Sequence, residues 1–232
     1  MNQTKPTLIF DMDGVIFDSE TLVLETWKET ARRHGVANVE QVCRMCLGLN
    51  AAASKKVFLE YYGADFPYDR YKEEMGRLFH ERADGGRLPQ KPGIRELLLF
   101  LKEQGIRTAV ASSTRSDLVR KQLCEGKLLS FFDAVIGGDM VERSKPEPDI
   151  FLKAMETLAV SPEQSWVIED SYNGIRAAAK AGAVPVMVPD LAPPTEEMEQ
   201  LAKYILPSLT EVREEIERLS GGADRKRPIP GR

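Results

Sequence analysis

The chain has 232 residues, 42% of them hydrophobic and 29% charged, which is enough to bury a sizeable core in one or two compact domains and too apolar for global disorder. A formal net charge of −4 with no long basic run in the body of the chain leaves no electrostatic footprint for nucleic acid, and no apolar run is long enough to span a bilayer. The N-terminus runs almost directly into a strand without a secretory pattern, so the expectation is a cytoplasmic monomer that acts on a small molecule and engages neither nucleic acid nor membrane.

Taken in chain order, Thr7-Leu8-Ile9-Phe10 reads as a short buried strand that ends abruptly in Asp11-Met12-Asp13-Gly14. The run Ser19 to His34 spaces Leu22, Trp27 and Ala31 at near-helical intervals and stops at Gly35. Further helices are predicted over Val39 to Cys46, over Ala51 to Tyr62, and from Pro67 through the stripe Tyr71, Met75, Leu78, Phe79 and Arg82 until Asp84-Gly85-Gly86 interrupts it. From Pro89 the pattern alternates. A helix from Lys91-Pro92-Gly93 to Gly105 precedes a strand Ile106 to Ala111, and a helix Ser116 to Cys124 precedes a strand Ala134 to Ile136. A helix Pro148 to Leu158 is followed by a strand Trp166 to Ile168, and a helix Gly174 to Ala181 by a strand Val184 to Val188. A last strand, Lys203 to Leu206, and a closing helix, Leu209 to Leu219, complete the series.

Such alternation predicts an α/β fold, a doubly wound parallel sheet of the Rossmann type covered on both faces. The first strand belongs with the later series, so residues 1–18 and 89–220 are expected to form the core and residues 19–88 an inserted four-helix cap. An insertion that leaves the sheet a few residues after two aspartates should hang over them as a lid. Residues 221–232, rich in Gly, Pro and basic side chains without an apolar period, are read as a mobile tail.

In an open α/β sheet, ligands bind beyond the carboxyl ends of the strands, and four polar segments fall there. Besides Asp11 and Asp13 these are Ser112-Ser113-Thr114-Arg115, where hydroxyls and free N–H groups at a helix start suit an anion; Ser144-Lys145-Pro146-Glu147-Pro148-Asp149, whose prolines stiffen the turn carrying Lys145; and Glu169-Asp170-Ser171. Each has an ordinary explanation as turn, cap or dipole partner. Four carboxylates in one crevice are nevertheless costly without a cation, and an all-oxygen set that must also hold phosphate favours Mg2+ over zinc.

Other chemistries lack their residues. The acids at the first strand fail the EF-hand pattern, with Ile16 and Leu22 where glycine and glutamate are needed, and there is neither a P-loop nor a Gly-x-Gly-x-x-Gly fingerprint. The only histidines, His34 and His80, lie in the helical insertion, away from any nucleophile on the sheet. Cys43-x-x-Cys46 has no second ligand pair and reads as two small hydrophobes on a helix.

The set Asp11-x-Asp13-Gly14, Ser112-Ser113, Lys145-Pro146 and Glu169-Asp170 resembles the four motifs of the haloacid dehalogenase superfamily, in its phosphatase and phosphomutase branch with a helical cap. The resemblance implies Asp11 as nucleophile, Asp13 as general acid/base, Ser112, Ser113 and Lys145 as phosphate holders, and a magnesium site from Asp11, Asp170 and the backbone carbonyl of Asp13, with Glu169 in support. Asp13 argues against carbon–halogen chemistry, because the dehalogenases of this superfamily lack that second aspartate. The implied partner is a small phosphorylated metabolite, expected to be a sugar phosphate, with a β-phosphoglucomutase-like enzyme as the alternative and a non-catalytic receiver domain as a further one. The mutases carry a histidine on the opening cap helix and a cap cation; this chain has Ser19-Glu20-Thr21-Leu22-Val23 at the first place and no arginine in Leu47-Gly48-Leu49-Asn50-Ala51 at the second. Glu20 and Asn50 are the expected contacts to sugar hydroxyls, and Lys55 or Lys56 is the candidate for a missing cap cation.

Overall fold

A computed structural model describes residues 5–46 and 51–220, so Asn50 and the 221–232 segment lie outside the described residues. Six parallel strands form one sheet: β1 (Thr7–Phe10), β2 (Thr108–Ser112), β3 (Ala134–Gly137), β4 (Ser165–Glu169), β5 (Val184–Met187) and β6 (Tyr204–Ile205), in the order β3-β2-β1-β4-β5-β6. The strand order reverses at β1, which pairs with β2 on one side and β4 on the other. A reversal of this kind opens a crevice at the carboxyl ends, since the connections on its two sides run to opposite faces.

Alternation within the strands assigns the two faces. Leu8 and Phe10 enter one apolar cluster with α5 (Ile94–Glu103), α6 (Ser116–Glu125) and α10 (Leu209–Ser220), whereas Ile9, Ala109, Ala111 and Val167 enter the other with α7 (Asp149–Leu158) and α8 (Tyr172–Lys180). Because both faces are covered, the strands read as continuous apolar runs rather than alternating ones. The second strand begins at Thr108, two residues later than the sequence suggests, because Ile106 packs into the first cluster below the sheet and only from Thr108 does the chain join the ladder. The helix α9 (Glu196–Leu201) is an addition to the elements the sequence predicts; it is short, capped by the Thr195 hydroxyl accepting from Met198 N–H at 3.4 Å, and buries Met198.

Four helices, α1 (Ser19–His34), α2 (Val39–Met45), α3 (Ala51–Tyr62) and α4 (Tyr68–Ala83), intervene between β1 and α5. They pack round a cluster of their own in which Trp27 lies 4.7 Å from Phe58 and 5.9 Å from Tyr68. The chain leaves and re-enters the sheet layer through two adjoining segments: Asp18 N–H donates to Pro89 C=O, Lys91 N–H donates to Ile16 C=O, and Phe17 bridges Gln90 antiparallel.

Candidate functional site

Strand register brings the polar segments to one place. Phe10 is paired with Ile168 and with Val110, so Asp11 stands level with Glu169, and Ser112 stands just beyond Ala111 on the other flank. Asp11 is 7% exposed. One of its oxygens accepts from Lys145 Nζ at 2.6 Å, and the same ammonium donates to Glu169 Oε1 at 2.6 Å and to Ala111 C=O at 3.3 Å. Lys145 also lies 5.0 Å from the centre of the Phe151 ring. The lysine thus reaches from its loop into the sheet edge as a buried cation between two carboxylates, at 8% side-chain exposure.

Glu169 is wholly buried, and its other oxygen accepts from Asp170 N–H, Ser171 N–H and the Ser171 hydroxyl at 3.1, 3.1 and 3.0 Å. A carboxylate with all these donors braces the turn into α8. Gly174 makes this possible, because a Cβ there would stand 1.9 Å from the Glu169 carboxyl carbon. Gly14 has φ +76°, and a Cβ on it would meet Asp170 Oδ2 at 2.2 Å, so the Asp-x-Asp-Gly turn needs glycine for both its conformation and the room for that acid.

Asp13 is held from two sides: Ser19 Oγ, the first residue of α1, donates to one oxygen at 2.8 Å and Thr114 Oγ1 to the other at 3.2 Å. Neither partner stands out in the sequence, where Ser19 reads as a helix opener and Thr114 as part of a capping run; each is recognisable only once the fold joins the two. Ser112 is 1% exposed and its hydroxyl accepts from Thr114 N–H at 3.1 Å, while Ser113 faces the cavity.

Burial sets the charge states. Asp11 is pushed from its ordinary 3.8 up to about 7 by desolvation, against the pull of Lys145 and with further repulsion from Glu169 and Asp13. Asp13 is raised by the same burial although both hydroxyls oppose it, and Asp170 is raised well above the carboxylate range by burial and then by Glu169 and Asp11. For Lys145 burial opposes the charge, but the neighbouring Asp11 and Glu169 outweigh it and hold the amine above the ordinary lysine range. Asp11, Glu169 and Asp170 each present an oxygen within 4.8 Å of the others, a hard donor set that fits a magnesium ion.

Asp11, Asp13, Ser113, Lys145 and Asp170 line one end of a cavity of about 650 Å³ whose other wall is built by α1, α2, α3 and α4. Glu20 lines it, and burial, then Asp13 and Asp190, push its carboxyl up to about 7. Lys55 and Lys56 do not reach it: Lys55 pairs with Asp69 at 2.6 Å and Lys56 with Glu60 at 3.7 Å on the outer surface. The cations in its helical lining are instead Arg44, which also pairs with Glu40 at 2.9 Å, and Lys72, which lies 5.9 Å from the centre of the Tyr68 ring. Cys43 and Cys46 also line it, and burial first, then Cys46, pushes the Cys43 thiol up to about 12, leaving it a small apolar side chain.

Comparison with known proteins agrees with this arrangement. A family model described as haloacid dehalogenase-like hydrolase matches residues 8–188. A phosphorylated carbohydrates phosphatase of Thermotoga maritima is 35% identical over 179 residues, covering 75% of this chain and 81% of that protein. A β-phosphoglucomutase of Bacillus subtilis is 32% identical over 188 residues, covering 78% and 82%. The crystal structure of CbbY from Rhodobacter sphaeroides in complex with phosphate is similar with a TM-score of 0.70 at 29% identity, covering 90% of this chain and 96% of that one.

Proposed function

The chain belongs to the haloacid dehalogenase-like hydrolase family, and we propose that it is a magnesium-dependent phosphatase of a small phosphorylated metabolite, a sugar phosphate, acting through an aspartyl-phosphate on Asp11. The observation that carries this reading is the pair of carboxyls at the end of β1: Asp11 against Lys145, and Asp13 two residues on, held by Ser19 and Thr114. A carboxylate attacking a phosphate dianion faces like-charge repulsion, so catalysis requires cations and positioning more than covalent help.

In this mechanism an Asp11 carboxylate oxygen forms a bond to phosphorus as the bond to the substrate oxygen breaks. Asp13, whose burial favours the protonated form, delivers its proton to that oxygen and releases the free alcohol. Asp13, now ionised, takes a proton from the water that attacks phosphorus, and phosphate leaves as Asp11 is restored. Lys145, Ser113 and the Ser112-Thr114 turn hold the phosphoryl oxygens. Asp11, Asp170 and the Asp13 backbone carbonyl would hold magnesium, with Glu169 bracing the set, and the ion would supply the charge that offsets the phosphoryl oxygens. The four helices α1–α4 act as the lid over this end of the sheet, and the Glu20 carboxyl bonds to a substrate hydroxyl.

The mutase alternative is favoured by one observation, the presence of Arg44 and Lys72 on the cavity wall, either of which could meet a second phosphate. Measuring free phosphate from a panel of sugar phosphates with and without Mg2+, alongside glucose 6-phosphate formation from β-glucose 1-phosphate with a bisphosphate primer, separates the two. Phosphate release that needs Mg2+ supports the phosphatase, and efficient isomerisation with little free phosphate overturns it.

A further inference from the structure

The two ends of the cavity differ in chemistry. Carboxylates, Lys145 and Ser113 line the sheet end; away from it the helical wall carries Arg44 and Lys72, and much of the rest is apolar: Val23 and Leu24 of α1, Met75 of α4, and Leu191 with Ala192 in the loop after β5. All five are half-buried, so each keeps apolar surface free toward the cavity. Behind Val23 and Met75 stand Trp27, Phe58 and Tyr68, buried and in ring-to-ring contact, which also reach the cavity lining.

A bare polyol fits such a wall poorly. A sugar hydroxyl pressed against Val23, Leu24 or Met75 gives up its hydrogen bonds to water and gains none. An apolar ring there gains on every side, from the removal of apolar surface from water and from the contact of the Met75 thioether and the aromatic edges with its face. The volume of about 650 Å³ lies in the range of sites that enclose ligands larger than the phosphate and its first carbons.

We propose that the lid half of this cavity is a subsite for an apolar ring on the leaving group, so that the preferred substrates are phosphate monoesters of ring-bearing alcohols. The inference rests on the phosphatase reading for its catalytic end and extends it by naming the alcohol. A sugar phosphate carrying a planar apolar substituent satisfies both ends, with its hydroxyls at Glu20 and its ring between Leu24, Met75 and Leu191.

The test compares two primary alkyl phosphates of similar intrinsic reactivity, 2-phenylethyl phosphate and glycerol 1-phosphate. Steady-state kcat/KM with Mg2+ is expected to favour the phenyl ester by at least about tenfold, carried mostly by KM, the scale of discrimination an apolar pocket provides. Met75→Gln, a half-buried position, is expected to cut that ratio severalfold by lowering the phenyl ester more than the glycerol ester. Binding is read separately by tryptophan fluorescence in Asp11→Asn, which holds the esters without turnover. Turnover of both esters with a ratio at or below one overturns the subsite and leaves the phosphatase. Preferential binding of the phenyl ester without any turnover overturns the phosphatase and leaves the subsite. Absence of both preference and turnover overturns the two together.

Discussion

Replacing Asp11, the proposed nucleophile, is expected to stabilise the metal-free protein while abolishing its activity. Asp11 is buried, and desolvation holds its carboxyl at about 7 against an ordinary 3.8, even though Lys145 sits 2.6 Å away. A carboxyl raised in this way binds more protons in the folded than in the unfolded state between those two values, so its contribution falls as pH rises from about 4 to about 7. At 1.36 kcal/mol per unit, the ceiling on that penalty is roughly 4 kcal/mol, reached above the folded value. Asn has the same shape and still accepts from Lys145 but carries no charge, so Asp11→Asn escapes the penalty. In excess EDTA its stability over the parent should be no more than about 1 kcal/mol at pH 4.5 and about 2–4 kcal/mol at pH 7.5, a rise in Tm at the higher pH of roughly 5–10 °C for a chain of this size. Thermal unfolding of both proteins at the two pH values, with phosphate release assayed in parallel, reads this directly. A variant no more stable at pH 7.5 than at pH 4.5 would refute desolvation as the main cause of the raised carboxyl, and retained turnover would refute the nucleophile.

Asp13→Asn should slow turnover about 10²–10⁴-fold while leaving the fold unchanged, through loss of the proton donor and acceptor; rates within tenfold of the parent would exclude that role. Ser19→Ala and Thr114→Val each remove a hydrogen bond that lowers the Asp13 value, so the limb of the kcat/KM profile belonging to Asp13 should move to higher pH in both, as pH–rate measurements would show. Lys145→Met leaves Asp11 and Glu169 buried without their cation and should cost roughly 3–5 kcal/mol in urea unfolding at neutral pH, less when Asp11→Asn is present. Excess EDTA should silence phosphate release and Mg2+ should restore it; activity that persists under chelation would remove the metal from the mechanism.

The fold is legible in the sequence because its signals are local and repeated. Short apolar strands alternating with amphipathic helices after Pro89 dictate a covered parallel sheet, and β1 is central in it, as the aspartates at its end require. The stop of α1 at Gly35 is readable from capping chemistry, since a left-handed glycine closes it. The short α9 is not, since six residues with mostly acidic side chains carry too little period. At the site, the polar segments are visible because each sits at a strand end, which the register then brings together. Two things are hidden. The hydroxyls on Asp13 come from positions 6 and 101 residues away, and no local pattern joins them. The sequence leaves open whether Lys55 or Lys56 on α3 supplies a cap cation; which side chains line the cavity depends on how the four helices pack, and that packing puts Arg44 and Lys72 in the lining while Lys55 and Lys56 pair with Asp69 and Glu60.

Charge balance in the crevice ties these features together. Asp11, Asp13, Glu20, Glu169, Asp170 and Asp190 converge on a space where Lys145 meets two of them and Lys91 meets one, at 2.7 Å from Asp190. Asp190 keeps a second oxygen buried without a hydrogen-bond partner among the described residues. The protein therefore folds with more acid in this crevice than its own cations offset, and burial shifts Asp11, Asp13, Asp170 and Glu20 toward their protonated forms. Asp11 and Asp170 would hold a divalent cation, whose charge would favour their ionised forms, so ion binding and ionisation of the proposed nucleophile would be linked. Asp13 lies outside the three-carboxylate cluster, and its burial favours the protonated form against two hydroxyl donors that favour the ionised one, so a cation at the cluster would act on Asp11 more directly than on Asp13. An ionised Asp11 beside a protonated Asp13 is the condition that an attacking carboxylate and a proton-donating carboxyl must meet together.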